Sequence, residues 1–304
     1  MTLPARTLLR LSRPARTLHT HAPGIPAPAL LTQDAPSRFH IAKLYALLGR
    51  PAPATPGITD HLLHFHAADR PLSPDGYYSD VTPGALDPQR FPQPQGFRRR
   101  LWARGSVRVR HPLQYGRTYT CLERVRSVRR YRGDTFVSTQ RELVSLDDQR
   151  THLVEERTLV YTDSLPEERE SPPVQGGGDG DSAAPPPRVL GQHTFSDLDV
   201  VRYAQLTCNP HRIHWDRAYA QAVEGYADLL VPGPLTAQLL ALYAGDCGSG
   251  APPRAVAYRS THYAHPGTPL EVCERALPLT DTRQLFLRDR LRPARVYAVL
   301  DVLE

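Results

Sequence analysis

The stretch Asn209-Pro210-His211-Arg212-Ile213-His214-Trp215-Asp216, with Gly225-Tyr226 and Val231-Pro232-Gly233-Pro234-Leu235 after it, decides how the rest of the chain is read. It sets two imidazoles, an amide and a carboxylate within eight residues, then opens an apolar helix at a glycine. Imidazoles titrate near neutral pH and suit proton transfer. A helix start offers N–H groups without intrahelical acceptors, and these can hold a developing oxyanion. Asp216 is placed to cap a short helix through Tyr219, Ala222 and Val223 that Gly225 ends. Gly233 and Pro234 start the strongest helix of the chain, since proline fits a first turn. Leu235, Leu239, Leu242 and Tyr243 form its apolar face, and Gly245 closes it.

Upstream, Thr194-Phe195-Ser196-Asp197 begins another helix, with Ser196 as N-cap, Asp199 three residues on, and Leu198, Val201 and Tyr203 as apolar contacts. Downstream, strands are expected near 254–262, 269–277, 283–290 and 295–303. This unit reads as a sheet wrapped around one apolar helix. Before it, residues 164–188 include Gly-Gly-Gly-Asp-Gly-Asp-Ser-Ala-Ala-Pro-Pro-Pro, a flexible linker by composition. An earlier unit shows segments near 103–110, 119–131, 134–146 and 150–162 rich in Val, Thr, Tyr, Phe and Leu. Gly116, Arg132-Gly133-Asp134 and Asp147-Asp148 separate them, as in an antiparallel meander. Residues 51–98 read as irregular, Ala42 to Leu48 as a short helix, and 21–40 as extended.

The chain has 304 residues, 40% hydrophobic and 22% charged, a globular balance with room for two domains. No run of 18 apolar residues suits a membrane-spanning helix. Net charge is +6, carried almost wholly by arginine, since Lys43 is the only lysine. The arginines alternate with apolar residues, as in Val107-Arg108-Val109-Arg110, which describes solvated strand faces rather than a nucleic-acid groove reader. An acidic carrier protein or a phosphate-bearing thioester suits the charge better. Cys121, Cys208, Cys247 and Cys273 are widely spaced, which supports neither disulfides nor a zinc site. Cys208, beside the motif, reads as a small buried residue or as a nucleophile. Arg6, Arg10, Arg13 and Arg16 lie among leucines, threonines and a serine, with no acidic residue before Asp34. That pattern reads as a mitochondrial transit peptide over residues 1–20, or else as a disordered basic tail.

These residues resemble the hydratase-2 or MaoC-like hot-dog dehydratases, and within them the fungal mitochondrial 3-hydroxyacyl-thioester dehydratases and the bacterial mesaconyl-C4-CoA hydratases. The resemblance is carried by Phe195-Ser196-Asp197, by Asn209 through Asp216, by Glu224-Gly225-Tyr226 and by Gly233-Pro234-Leu235. Arg99 through Gly105, Leu159-Val160-Tyr161 and Asp60-His61-Leu62-Leu63-His64-Phe65 extend it over residues 40–304. It implies an α+β double hot-dog: two curved antiparallel sheets, each around a central helix, one over 21–163 and one over 189–304. Only the second half retains the catalytic loop. The pattern departs in two places. Asn209 stands where hydratase-2 enzymes generally carry their catalytic aspartate, and His211 where they carry an asparagine, while the dehydratase subgroup that the chain most resembles also has Asn-x-His-Arg-Ile-His here. Pro232 stands where relatives have a histidine before the glycine.

The resemblance implies elimination of water from a 3-hydroxyacyl thioester, a hydro-lyase reaction needing no cofactor or metal. Such a reaction needs a base for the C2 proton, an acid for the leaving hydroxyl and donors for the enolate-like oxygen. His214 is assigned the proton transfers, Asn209 the orientation of hydroxyl or water, and the Gly233 N–H the oxyanion. His211 is a second proton carrier or a packing residue. Arg212, Asp216, Tyr226, Pro234 and Arg259 are the candidate substrate contacts, with Asp216 also a helix cap or histidine orienter. His211, His214 and Asp216 together offer metal-ligand types, but the loop holds no fourth partner. His61, His64 and His66 are expected on a surface or over a pocket mouth. Arg100 and Trp102 either reach a substrate phosphate or pack the domain junction, with Trp102 rather in packing. The expected partner is acyl carrier protein or a CoA thioester, the setting type II fatty-acid synthesis in the mitochondrial matrix, and the assembly a monomer or homodimer. A mesaconyl-CoA-type hydratase and a non-catalytic acyl-binding protein are the alternatives. A cationic pocket wall would favour the former over a fatty acyl chain.

Overall fold

Each half of the chain folds as strands laid across a helix, and strand pairing explains how the halves join. The computed structural model describes residues 30–66, 69–89, 91, 97–164, 186–246, 252–277 and 282–303. The expected transit peptide and nearly all of the expected linker lie outside them. The first half runs β1 (Leu30–Asp34), α1 (Arg38–Leu47), α2 (Pro83–Leu86), β2 (Arg99–Val109), β3 (Tyr119–Tyr131), β4 (Asp134–Ser145) and β5 (Thr151–Thr162). The second runs β6 (Arg188–His193), α3 (Asp197–Leu206), α4 (Arg217–Ala222), α5 (Gly233–Asp246), β7 (Ala255–Ser260), β8 (Leu270–Ala276), β9 (Arg283–Asp289) and β10 (Val296–Val302). The strand order is β1-β3-β4-β5-β2-β7-β10-β9-β8-β6. The two expected sheets are therefore one continuous ten-stranded sheet, joined where β2 pairs antiparallel with β7, from Arg104 opposite Arg259 to Arg108 opposite Ala255.

Period-two alternation makes this sheet one-sided. In β4 buried and partly buried residues alternate without a break, so one face meets the core. Ile41 and Leu44 of α1 pack into the same core cluster as Tyr119, Cys121, Leu143 and Leu153 from β3, β4 and β5. Helix α5 is buried nearly all round, through Leu235, Leu239, Leu240 and Tyr243 among others, as expected of a helix enclosed by a sheet. This is the double hot-dog arrangement, with α1 and α5 as the two central helices.

Several expectations shift. Helix α1 starts at Arg38 rather than Ala42, because the Ser37 hydroxyl accepts from the His40 N–H at 3.2 Å and caps it. The stretch read as extended is thus strand over β1 and helix from Arg38. Strand β2 starts at Arg99, not 103: Arg99 and Arg100 are buried, against the usual reading of paired arginines. Strand β6 was not expected. It is a polar, largely exposed edge strand against β8, without the alternation that reveals a strand. Helix α3 keeps its Ser196 cap, completed by a reciprocal Asp199 carboxylate, but buries Val200, Tyr203 and Ala204 while Leu198 is exposed.

Candidate active site

The motif loop is held in shape by its own polar groups. Cys208 takes a positive φ of 47° and turns the chain out of α3. Asn209 N–H donates to Ala204 O at 2.8 Å, and Asn209 Oδ1 accepts from the His211 N–H at 3.1 Å. A 3-10 turn over Arg212–His214 follows. Asp216 then caps α4, its Oδ1 accepting from the Tyr219 N–H at 2.9 Å, while its Oδ2 pairs with Arg212 at 2.8 Å. The Arg212 guanidinium covers the Tyr219 ring at 4.0 Å. Both charges are thereby engaged on the outer side of the loop, and the three-ligand set of His211, His214 and Asp216 is not assembled.

The residues read as irregular supply the other side of this loop. The Arg212 N–H donates to Asp75 O at 2.9 Å, and the Tyr78 hydroxyl donates to Cys208 O at 2.9 Å. Gly76 sits at φ +81° against Pro210, where an added Cβ would lie 2.5 Å from the Pro210 carbonyl oxygen. Arg100 ties down the turn: Nε meets Asp75 Oδ2 at 3.0 Å, and its other nitrogens donate to Tyr78 O at 2.7 Å and Ser73 Oγ at 2.8 Å. Burial works against the Asp75 carboxylate, but Arg100, His211, the Tyr77 N–H and Ser73 outweigh it and hold the pKa below the usual range.

A cavity of about 380 Å³ opens between this loop, β2 and the start of α5. His214, Asn209, Gly233, His211, Tyr226 and Pro234 all line it; Arg212, Asp216 and Arg259 do not. Arg259 points to the opposite face of β7 from the lining residue Ser260 and pairs with Asp301 at 3.2 Å. His214 is buried, with Nδ1 at 2.9 Å from Leu230 O. A carbonyl only accepts, so Nδ1 carries the proton and Nε2 the free lone pair. Burial first, and His211 second, push the His214 pKa down to about 3, against the opposing hydrogen bond to Leu230, so the ring is neutral at physiological pH. The His211 ring stands edge-on to it at 5.5 Å. At the start of α5, Pro234 has no N–H, and the N–H groups of Leu235 and Thr236 turn back to Pro232 O at 3.0 and 3.2 Å. That leaves the N–H of Gly233 for a ligand. Crowding favours glycine there: a Cβ would meet Trp102 Cδ1 at 3.0 Å and Ser260 Oγ at 3.2 Å.

The profile of the family described as hydroxyacyl-thioester dehydratase type 2 matches residues 59–266. The chain belongs to that family. It is 30% identical over 250 residues to the mitochondrial hydroxyacyl-thioester dehydratase type 2 of Saccharomyces cerevisiae, covering 80% of this chain and 85% of that one. It is 32% identical over 197 residues to the mesaconyl-C(4)-CoA hydratase of Chloroflexus aurantiacus, over 57% of this chain and 64% of the other. In fold it is similar to the crystal structure of a MaoC-like dehydratase from Phytophthora capsici, with TM-score 0.64 at 13% identity, over 91% and 95% of the two chains.

In this member of the family, the far end of the cavity is polar in a way the sequence did not announce. Arg157 lines it and is bound in bidentate fashion by Glu155 at 2.8 and 2.7 Å. Glu155 is fully buried and also meets Arg141 at 3.2 Å and His61 at 3.1 Å. Arg141 in turn meets Glu123 at 3.1 Å. His61 and His64 are buried rather than on a surface, and His66 lines the cavity with Nε2 on Leu62 O at 2.9 Å. Trp102 both packs and lines, stacked on Tyr258 at 5.4 Å and beneath Arg157 at 4.8 Å. Cys208 is exposed, against the expectation of burial. Asp75, Arg157 and Glu224 were missed as site residues. The signal open to inspection was a Pro74-Asp75-Gly76 turn and the Glu224-Gly225 pair, neither of which names a partner.

Proposed function

We propose that this chain interconverts 3-hydroxyacyl thioesters and trans-2-enoyl thioesters by elimination and addition of water, with His214 as its proton-transferring residue. The observation that carries the reading is a neutral His214, its Nδ1–H fixed on Leu230 O, lining one cavity with the first N–H of α5. His214 Nε2 takes the C2 proton. The negative charge that develops on the thioester oxygen falls to the Gly233 N–H at the positive end of the α5 dipole. Asn209 has its Oδ1 engaged by the His211 N–H, so it offers Nδ2–H as a donor that orients the C3 hydroxyl. An amide takes no proton at physiological pH, and its role here is orientation.

The wall chemistry favours an uncharged acyl chain over a short dicarboxylyl group. Arg100 and Arg157 face the cavity, but each is already paired with a carboxylate, Asp75 or Glu155. Much of the remaining lining is apolar, including Leu62, Leu101, Leu159, Ile213 and Leu230. We take acyl carrier protein as the carrier, the mitochondrial matrix as the location and type II fatty-acid synthesis as the setting. The acid-free basic first twenty residues support this, as do the mitochondrial relatives from Saccharomyces cerevisiae and Schizosaccharomyces pombe. We take 21–163 and 189–304 as the two hot-dog units and 164–188 as their linker. The test is hydration of crotonyl-CoA by the purified chain: turnover supports the enzyme reading, and binding without turnover at high enzyme concentration replaces it with acyl binding. Faster turnover of mesaconyl-CoA than of crotonyl-CoA and longer enoyl chains would overturn the substrate class.

A further inference from the structure

We propose that His211 is the second proton-transfer residue of this site, its charge balanced by Asp75 and Glu224, and that it takes over the task of the carboxylate absent at position 209. The inference rests on the dehydratase reading above. Elimination moves two protons, one from C2 and one to the departing oxygen, and Asn209 can move neither. His211 lines the same cavity as His214 and is buried. Its Nε2 stands 3.6 Å from Glu224 Oε1 and 3.7 Å from Asp75 Oδ2, so carboxylates from two distant parts of the chain converge on one ring nitrogen. Asp75 is held by Arg100, the wholly buried Glu224 has neither carboxylate oxygen in a hydrogen bond among the described residues, and the His211 ring packs on Tyr77 at 5.7 Å and on His214 at 5.5 Å.

The two histidines therefore differ in surroundings. His214 has a carbonyl and no carboxylate, and is a neutral base. His211 has two carboxylates, and a buried carboxylate such as Glu224 needs a proton or a cation beside it. Paired titratable groups with opposite surroundings divide the acid and base roles between them.

In dehydration the C2–H bond breaks, its proton goes to His214 Nε2, and its electron pair enters the enolate. That pair then forms the C2–C3 double bond as the C3–O bond breaks. The departing hydroxide takes a proton from imidazolium His211 and leaves as water. His214 is then charged and His211 neutral. One proton passed between the two rings, whose centroids lie 5.5 Å apart, restores the start. Hydration is the reverse.

The experiment is the pH profile of kcat/KM for dehydration of 3-hydroxybutyryl-CoA by the full chain. The wild type is expected to give a bell, His214 setting the acidic limb and His211 the alkaline one. His211→Gln lowers kcat by about 10²–10³-fold and removes the alkaline limb. Asp75→Asn and Glu224→Gln lower kcat less than His211→Gln does and move that limb to lower pH. Asn209→Asp added to His211→Gln restores kcat by roughly tenfold or more. Near-wild-type kcat with the alkaline limb intact in His211→Gln overturns the proposal, and so does an unmoved limb in the two carboxylate variants. The carboxylate variants decide it if His211→Gln does not fold. If the wild type turns over and these signatures fail, only the role of His211 falls; if the wild type is inert, the dehydratase reading falls with it.

Discussion

Replacing His214 by Asn probes the resting state of the proposed base. The asparagine Nδ2–H falls where the imidazole Nδ1–H stands, so the 2.9 Å hydrogen bond to Leu230 O survives. Burial, with His211 second, holds the folded imidazole at about 3, against 6.5 when solvated. Below pH 6.5 the unfolded chain takes up a proton that the folded chain refuses until about pH 3. The unfolded state thus binds more protons throughout that window, and the free energy of unfolding rises with pH across it. The stability owed to neutral His214 is fully present above that window and falls as pH drops through it. At 1.36 kcal/mol per unit, going from pH 7 to pH 5 costs the wild type about 2 kcal/mol at this residue alone. His214→Asn carries no titrating group there and is spared that loss. Urea unfolding of both proteins at the two pH values measures it: the wild type should lose about 2 kcal/mol more than the variant. Equal losses would refute the claim that His214 is buried and neutral.

Gly233→Ala should press its methyl on Trp102 and Ser260 and shift the N–H offered to the substrate. A fall in kcat of about tenfold or more, with a small change in melting temperature, is expected from steady-state kinetics and thermal unfolding. Gly76→Ala combines a positive φ with a clash on Pro210, so it should destabilise by at least about 1 kcal/mol in chemical denaturation. Its kcat should fall as well, since the turn supports the motif loop. Glu155→Gln leaves Arg141 and Arg157 buried without their shared carboxylate. The expected loss is about 3–5 kcal/mol, or roughly 6–20 °C in melting temperature by calorimetry. A shift within about 2 °C would contradict the buried network.

Local signals in the chain spoke plainly where one segment supplies both the signal and its answer. The alternation of β4, the Ser196 capping box and the Asp216 cap are each complete within a dozen residues. The motif loop was legible for the same reason, since Asn209, His211 and His214 lie within six residues. What stayed hidden depends on partners far along the chain. Arg99 reads as solvated until Glu224 O and Asp163 O are seen to accept from it. Asp75 reads as a turn residue until Arg212 and His211 arrive against it. Arg157 is the exception, since its partner Glu155 lies two residues away on one edge of the guanidinium, and what the local sequence lacks is any sign that both are buried. Arg259 erred the other way: alternation on β7 was readable, but which face met the cavity depended on the pairing with β2. Strand β6 carries an edge strand's polar pattern, and only its ladder with β8 marks it as a strand.

The central claim is that His214 takes the C2 proton of the elimination. The most direct measurement is single-turnover dehydration of 3-hydroxybutyryl-CoA by the wild type and by His214→Asn, alongside the affinity of each for the substrate. The account predicts a rate loss of about 10³-fold or more, with affinity changed little and the fold intact. A His214→Asn variant that turns over substrate within about tenfold of the wild type would contradict it.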